Sequence, residues 1–398
     1  MQSAAVGQRS LGDPGVRYPL WPPLTSGCPR TSTEAMAYPV EVEYDLDAVP
    51  RGLFDGAPRH GLERWAPVMP PLRAPGLGEG NTPLVELEPG VLVKDESRNP
   101  TWSHKDRLNR CTVSAAVGVG APGIVVASSG NHGASAAAYA ARAGLRAVVL
   151  LNADAGERAE AWLREYGATV FRVAKERRWP LMRRVVEEFG FHPVSNLTVT
   201  HTGHAFGPEG YKSVAYELAA EVGAPAAVFV PTGYGELLFG IGKGFEELRR
   251  LGVVDRVPPL YSCEPATGGP LAAAMARGEP AAIIEQSGWT VARAIDCSVS
   301  GYRGVHALTR SGGRALLLTD DELARAREEQ ARAGLWPEAS SAIALAGLRK
   351  ITGGGAVADR FDGPVVCVST STGFKDVEPC ATRAPVDPDW DTVRRTLA

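Results

Sequence analysis

A lysine stands at the junction of an apolar run and a helix-forming segment. Asn99-Pro100-Thr101-Trp102-Ser103-His104-Lys105-Asp106-Arg107 follows strand-like residues 91–93 and opens a helix near Arg107. The partial positive charge of a helix N-terminus disfavours an ammonium there and favours the neutral, nucleophilic amine. Three more polar loops follow in the chain. Ser128-Ser129-Gly130-Asn131-His132-Gly133 lies between a buried-strand pattern at 123–127 and an alanine-rich helix at 134–143. Ligands of open α/β sheets bind at such a carboxyl end, where the free N–H groups of the next helix suit an anion. Ser128 and Ser129 could add hydroxyl donors to a carboxylate; the alternative is a plain turn with a capping serine.

Thr232-Gly233-Tyr234-Gly235-Glu236-Leu237 has the same placement, and its glycines let backbone amides converge on a phosphate. The bland alternative is a glycine-rich βα turn. Leu238 at the third glycine position excludes a dinucleotide fingerprint, and no Gly-Lys-Ser/Thr follows for a Walker A loop. Glu236 is awkward beside a phosphate, so its carboxylate is expected to point away. Val368-Ser369-Thr370-Ser371-Thr372-Gly373 ends a last strand with four hydroxyl residues, suited to a ring nitrogen or to a simple Ser/Thr turn. His201 and His204 lack a neighbouring third ligand and are expected as polar surface groups, with no metal bound. No G-x-S-x-G elbow supports a serine nucleophile.

The elements that must hold these loops alternate. Strand patterns at residues 123–127, 147–151, 169–173, 227–231, 260–263, 315–319 and 365–369 are interleaved with helical ones at 157–166, 209–222, 240–251, 321–333 and 340–350. That order predicts an α/β protein of mostly parallel sheets flanked by helices. Residues 40–45 read as an alternating strand, and 1–37, rich in Pro, Gly and Ser, as an arm without packed periodicity. Cys28-Pro29 lacks the partner thiolates of a zinc knuckle. The expected division is an arm at 1–37, a larger lobe from 38–106 and 223–380, a smaller lobe at 107–222, and a tail at 381–398.

A chain of 398 residues with net charge −3 carries no basic footprint for nucleic acid or anionic membrane, and no apolar run approaches a membrane span. Six cysteines without a C-x-x-C pair, and no basic-then-apolar leader at the N-terminus, predict a reduced, cytoplasmic protein.

Taken together, the motifs resemble the threonine synthase branch of the fold-type II pyridoxal-phosphate enzymes (tryptophan synthase beta-like), from about Tyr38 to Asp376. The matching stretches are 77–84, 99–107, 129–131, Glu209-Gly210-Tyr211-Lys212-Ser213, 231–240, 338–342 and 370–376. The resemblance implies two lobes with the cofactor between them, and Lys105 holding pyridoxal phosphate as a Schiff base. It places Asn131 at the ring hydroxyl and the amides of Gly233, Tyr234, Gly235, Glu236 and Leu237 at the phosphate. Thr370 falls at the pyridine nitrogen, where a neutral hydroxyl suits elimination and replacement better than transamination. Ser128, Ser129, Gly130, His132 and His104 are expected around an amino-acid substrate, with Lys105 as general base and a homodimer as the assembly.

Two departures bear on the substrate. Threonine synthases resemble N-S-x-N-P-x-R before the Glu-Gly-x-Lys helix, and their arginine grips the substrate phosphate; Gly207 stands at that position here. His104 replaces the usual phenylalanine beside the lysine, putting a titratable ring close to it. The expected activity is a pyridoxal-phosphate lyase or replacement enzyme, with O-phosphohomoserine as substrate in doubt. Threonine- or serine-type ammonia lyase and β-replacement synthase are the alternatives, as is a catalytically idle partner protein with the same fold.

Overall fold

The computed structural model describes residues 2–56, 60–128, 130–153, 155–376 and 390–397. In chain order the elements are β1 (Ala5–Ser10), β2 (Arg17–Tyr18), β3 (Val40–Tyr44), β4 (Leu84–Glu88), β5 (Val91–Asp95), α1 (Lys105–Gly118), β6 (Gly123–Val126), α2 (Asn131–Arg142) and β7 (Arg146–Asn152). There follow α3 (Glu157–Glu165), β8 (Thr169–Val173), α4 (Arg178–Phe189), β9 (His192–Pro193), α5 (Gly207–Val222), β10 (Ala227–Pro231), α6 (Glu236–Arg250), β11 (Leu260–Pro265) and α7 (Pro270–Arg277). The last are α8 (Tyr302–Ser311), β12 (Arg314–Leu318), α9 (Asp320–Arg332), α10 (Ala339–Thr352), β13 (Val365–Ser369) and α11 (Trp390–Leu397).

Two sheets carry the architecture. The larger has the order β12-β11-β10-β13-β5-β4, parallel throughout except for the edge strand β4, which runs antiparallel to β5. The smaller, β8-β7-β6-β9, is wholly parallel. Strands β6, β10 and β13 are buried at every position, as apolar runs covered on both faces by helices must be. Because β10, β13 and β5 are neighbours and parallel, the loops leaving their carboxyl ends emerge side by side. Those are the glycine loop, the hydroxyl loop and the lysine loop.

The N-terminal segment departs from expectation. Instead of an unpacked arm, residues 5–18 form β1 and β2, which join β3 in an antiparallel sheet ordered β2-β1-β3. The buried side chain organising it is polar, which hides it from a hydrophobic pattern. Gln8 is fully buried; its Nε2 donates to the carbonyls of Pro19 (2.8 Å) and Pro22 (3.0 Å), and its Oε1 accepts the Leu24 N–H (2.8 Å). Trp21 then packs edge-on against Phe206 (5.3 Å between centroids). The helices α4, α7 and α8 were also not foreseen. In α4, Pro180 sits in the first turn, where a missing N–H costs nothing.

Arg107 anchors the start of α1. Its Nε and Nη2 donate to the two oxygens of Glu96 (both 2.7 Å), and Nη2 also reaches Glu217 on α5 (2.8 Å). Lys94 on β5 pairs with Glu217 at 3.0 Å, so strand, lysine helix and α5 share one buried ionic cluster. A buried cluster of this kind specifies geometry more than it adds stability.

Candidate functional site

Lys105 is the first residue of α1, half-buried, and its Nζ donates to Tyr211 Oη on α5 (3.1 Å). The two helices approach closely because Gly210 has no Cβ; one would run into the carbonyl of Arg107. Burial lowers the Lys105 pKa, opposed by the nearby Glu236 carboxylate, so the neutral amine is favoured by desolvation. His104 precedes it as N-cap. Its N–H and its Nδ1 both donate to the Thr370 carbonyl (3.0 and 3.2 Å), and its ring stacks on Tyr211 at 5.4 Å. Burial and the Lys105 charge push His104 well below the usual imidazole range, so it stays neutral with Nε2 bare. Trp102 adopts φ +60°, and Ser371 Oγ donates to its carbonyl (2.9 Å), tying the lysine loop to the end of β13.

Asn131, at the start of α2, reaches the same loop. Its Nδ2 donates to Glu338 Oε2 (2.7 Å), and its Oδ1 accepts from Lys375 Nζ (2.6 Å), with Ser371 Oγ, whose one proton it shares with the Trp102 carbonyl, 3.2 Å away. Thr370 is buried with its hydroxyl 2.8 Å from Ser341 Oγ, which itself accepts the Ser371 N–H (2.9 Å). With Ser341 able to donate to Thr370, the Thr370 O–H is left to donate outward.

The glycine loop closes the set. Gly235 is the N-cap of α6 at φ +83°, and no side chain caps the helix, so its first-turn N–H groups face the loop without a side-chain acceptor. Tyr234 stacks flat on His201 (4.1 Å, 7°), and its phenol bonds Cys297, whose thiol is pushed up to about 12 by burial. The Glu236 carboxylate lies over Gly203, where a Cβ would strike it, and burial raises its pKa. Leu237 points into the core.

A half-buried lysine, an uncapped glycine loop, an amide donor and a hydroxyl donor thus meet beside the ends of β5, β10 and β13. A family model described as pyridoxal-phosphate dependent enzyme matches residues 76–371. The chain belongs to the pyridoxal-phosphate dependent enzymes. It is 30% identical over 357 residues to a threonine synthase of Methanosarcina acetivorans, covering 84% of this chain and 86% of that one. A threonine synthase of Mycobacterium tuberculosis is 32% identical over 346 residues, covering 81% and 89%. Among solved structures, maize serine racemase superposes with TM-score 0.64 at 18% identity, covering 80% of this chain and 92% of that one. Processed threonine deaminase isoform 2 of Solanum lycopersicum gives 0.62 at 16%, covering 79% and 82%. These two share the fold.

The residues of this pyridoxal-phosphate enzyme fit the cofactor. The uncapped start of α6 can take a phosphate, and its one acidic side chain there is turned over Gly203 and not into the loop. Asn131 keeps a second N–H beyond the one Glu338 takes, and Thr370 keeps its O–H.

Three histidines stand otherwise than their places in the sequence suggest. His132 is braced into the protein: Nε2 donates to the Val194 carbonyl (2.9 Å) and Nδ1 accepts from Asn109 Nδ2 (3.2 Å), leaving neither nitrogen for a substrate. Burial and the Lys105 charge hold it neutral, with a pKa of about 3. His201 and His204 are not surface groups but buried, at 3% and 2% exposure. The Phe206 N–H donates to His204 Nδ1 (2.9 Å), so His204 Nε2 carries the proton and donates to His192 Nε2 (2.8 Å). Ser128 accepts the Gly130 N–H (3.4 Å), and Gly130 is exposed at the loop. Ser129 lies outside the described residues. Tyr211, Glu338, Ser341 and Lys375 each sit in one of the matching stretches without a sign of their role there, and only contact across the fold shows what each touches.

Proposed function

We propose that this protein catalyses elimination or replacement on an amino acid bearing a leaving group at Cβ or Cγ, with Lys105 as the residue that binds pyridoxal phosphate and moves the proton at the substrate Cα. The observation that carries this reading is the placement of Lys105 Nζ at a helix start, 3.1 Å from Tyr211 Oη, among Asn131, Thr370 and the uncapped glycine loop. The bound ring supplies an electron sink that acidifies the Cα–H. Lys105 takes that proton through Nζ, and burial lowers its pKa against the opposing Glu236 carboxylate, which favours the neutral amine that can accept it. Tyr211, whose pKa lies well above the ordinary phenol value through burial, stays protonated and orients Nζ. His104, held neutral, orients the loop through Thr370 and does not supply the acid that an imidazolium would. Ser128 and the N–H groups opening α2 are proposed for the substrate carboxylate.

A substrate without a phosphate is favoured over O-phosphohomoserine. Gly207 packs against α1, where a Cβ would lie 3.1 Å from Leu108 Cγ and 3.2 Å from Thr112 Cγ2, and it carries no guanidinium to grip a phosphate. A reducing, cytoplasmic setting is supported by five described cysteines that are all free and buried. A homodimer completes the proposal, and light scattering in solution reads it. The central test is borohydride reduction of the cofactor-loaded protein followed by peptide mapping. The label is expected on the peptide containing Lys105; labelling at another lysine overturns the assignment.

A further inference from the structure

Lys375 takes no part in the steps above. It closes the short turn Gly373–Lys375 after β13, and its ammonium donates to Asn131 Oδ1 (2.6 Å) and to the Thr101 carbonyl (2.7 Å). Thr101 belongs to the lysine loop and Asn131 to α2, so one side chain spans both. On the far side of the same carboxamide, Asn131 Nδ2 donates to Glu338 Oε2 (2.7 Å).

A carboxamide can turn end for end, and its two orientations differ in which end donates. An ammonium only donates and an ionised carboxylate only accepts. The Lys375 ammonium, which cannot accept, therefore admits one orientation, with the oxygen toward Lys375 and the NH2 toward Glu338, whose pKa burial raises. The second N–H of that NH2 has no acceptor among the described residues. Asp376 holds the Glu338 end in place by accepting the Ala339 N–H (2.7 Å).

We propose that Lys375 is a positioning residue for the cofactor: it locks the Asn131 carboxamide so that the free N–H meets the ring oxygen, and its charge favours the ionised form of that oxygen. The proposal rests on the placement of Asn131 at the ring hydroxyl. The charged and titratable groups facing Lys375 are Glu338, Asp106 and His104. Burial brings Lys375 down to about 8, and an anion at the ring oxygen would raise it again and keep it charged.

The test is the pH titration of the cofactor's visible absorbance in the loaded parent, in Lys375→Gln and in Lys375→Arg. Glutamine keeps a donor without the charge, whereas arginine keeps both. The state reached on losing the titrating proton is the more negative one, so the Lys375 charge favours it. Lys375→Gln is expected to raise the midpoint by about one pH unit, and Lys375→Arg to leave it within about 0.3 of the parent. A glutamine midpoint equal to the parent's, or an arginine shift as large as glutamine's, overturns the proposal. Cofactor loss in the glutamine variant with retention in the arginine variant supports it. Loss in both overturns it, because the lysine would then be filling space. A parent that shows no visible band on loading refutes instead the placement of the cofactor on Lys105.

Discussion

Replacing Gly235 by valine tests the proposed phosphate loop most directly. Gly235 holds φ +83° at the start of α6, a conformation that costs an L-residue about 1–2 kcal/mol and a β-branched one more. The second obstacle is contact. A Cβ there would lie 2.8 Å from Gly304 Cα and 3.0 Å from Gly304 N, and backbone atoms at the start of α8 cannot swing aside as a side-chain end could. Residue 235 must leave the left-handed region or push α8 away, and either movement turns the N–H groups of residues 235 and 236 off the phosphate. One charge-assisted hydrogen bond contributes about 1.5–3 kcal/mol, so losing one weakens the cofactor roughly ten- to a hundredfold. The assay is titration of the apoprotein with pyridoxal phosphate, followed by absorbance, alongside circular dichroism to show that the variant is folded. Gly235→Ala, with the same Cβ and no branch, should fall between parent and valine. A folded valine variant that binds the cofactor within a factor of about two of the parent refutes the reasoning.

Arg107→Met should leave Glu96 and Glu217 buried without their shared cation, costing about 3–5 kcal/mol, which a fall of several degrees in melting temperature would register. An unchanged melt would show that Lys94 alone neutralises the cluster. Stability should also fall on mild acidification through His192, which burial lowers to about 4 while the unfolded chain titrates near 6.5. Between those values the unfolded state binds the extra proton, so stability is present above about pH 6.5 and lost as pH falls toward 4, by about 3 kcal/mol at most. Melting curves across that range should be flatter for His192→Asn than for the parent. O-phosphohomoserine should bind roughly ten- to a hundredfold more weakly than arginine at position 207 would allow, since one charge-assisted contact is missing. Steady-state comparison with serine, threonine and their O-acyl derivatives measures this, and efficient threonine formation from O-phosphohomoserine would contradict it.

Much of this protein is legible along the chain. Strands such as β10 and β13 are buried on both faces and read as unbroken apolar runs, and the glycines and hydroxyls that punctuate them mark the loops. Lys105, Asn131, Gly235 and Thr370 stand in polar loops that the strand pattern already marks, and each loop alone is equally readable as a plain turn. What the chain could not show are pairings between residues far apart in it. Gln8 makes a core from a polar side chain because its partners are backbone carbonyls that no pattern of side chains encodes. His132 looks like a loop ligand, yet Asn109 and Val194 take both of its nitrogens. Lys375 stands 244 residues from the carboxamide it holds. A hydrogen bond is specific over about 3 Å, whereas a periodic pattern reports only which face of an element is apolar. The placement of donors and acceptors around the lysine was therefore decided by packing in three dimensions.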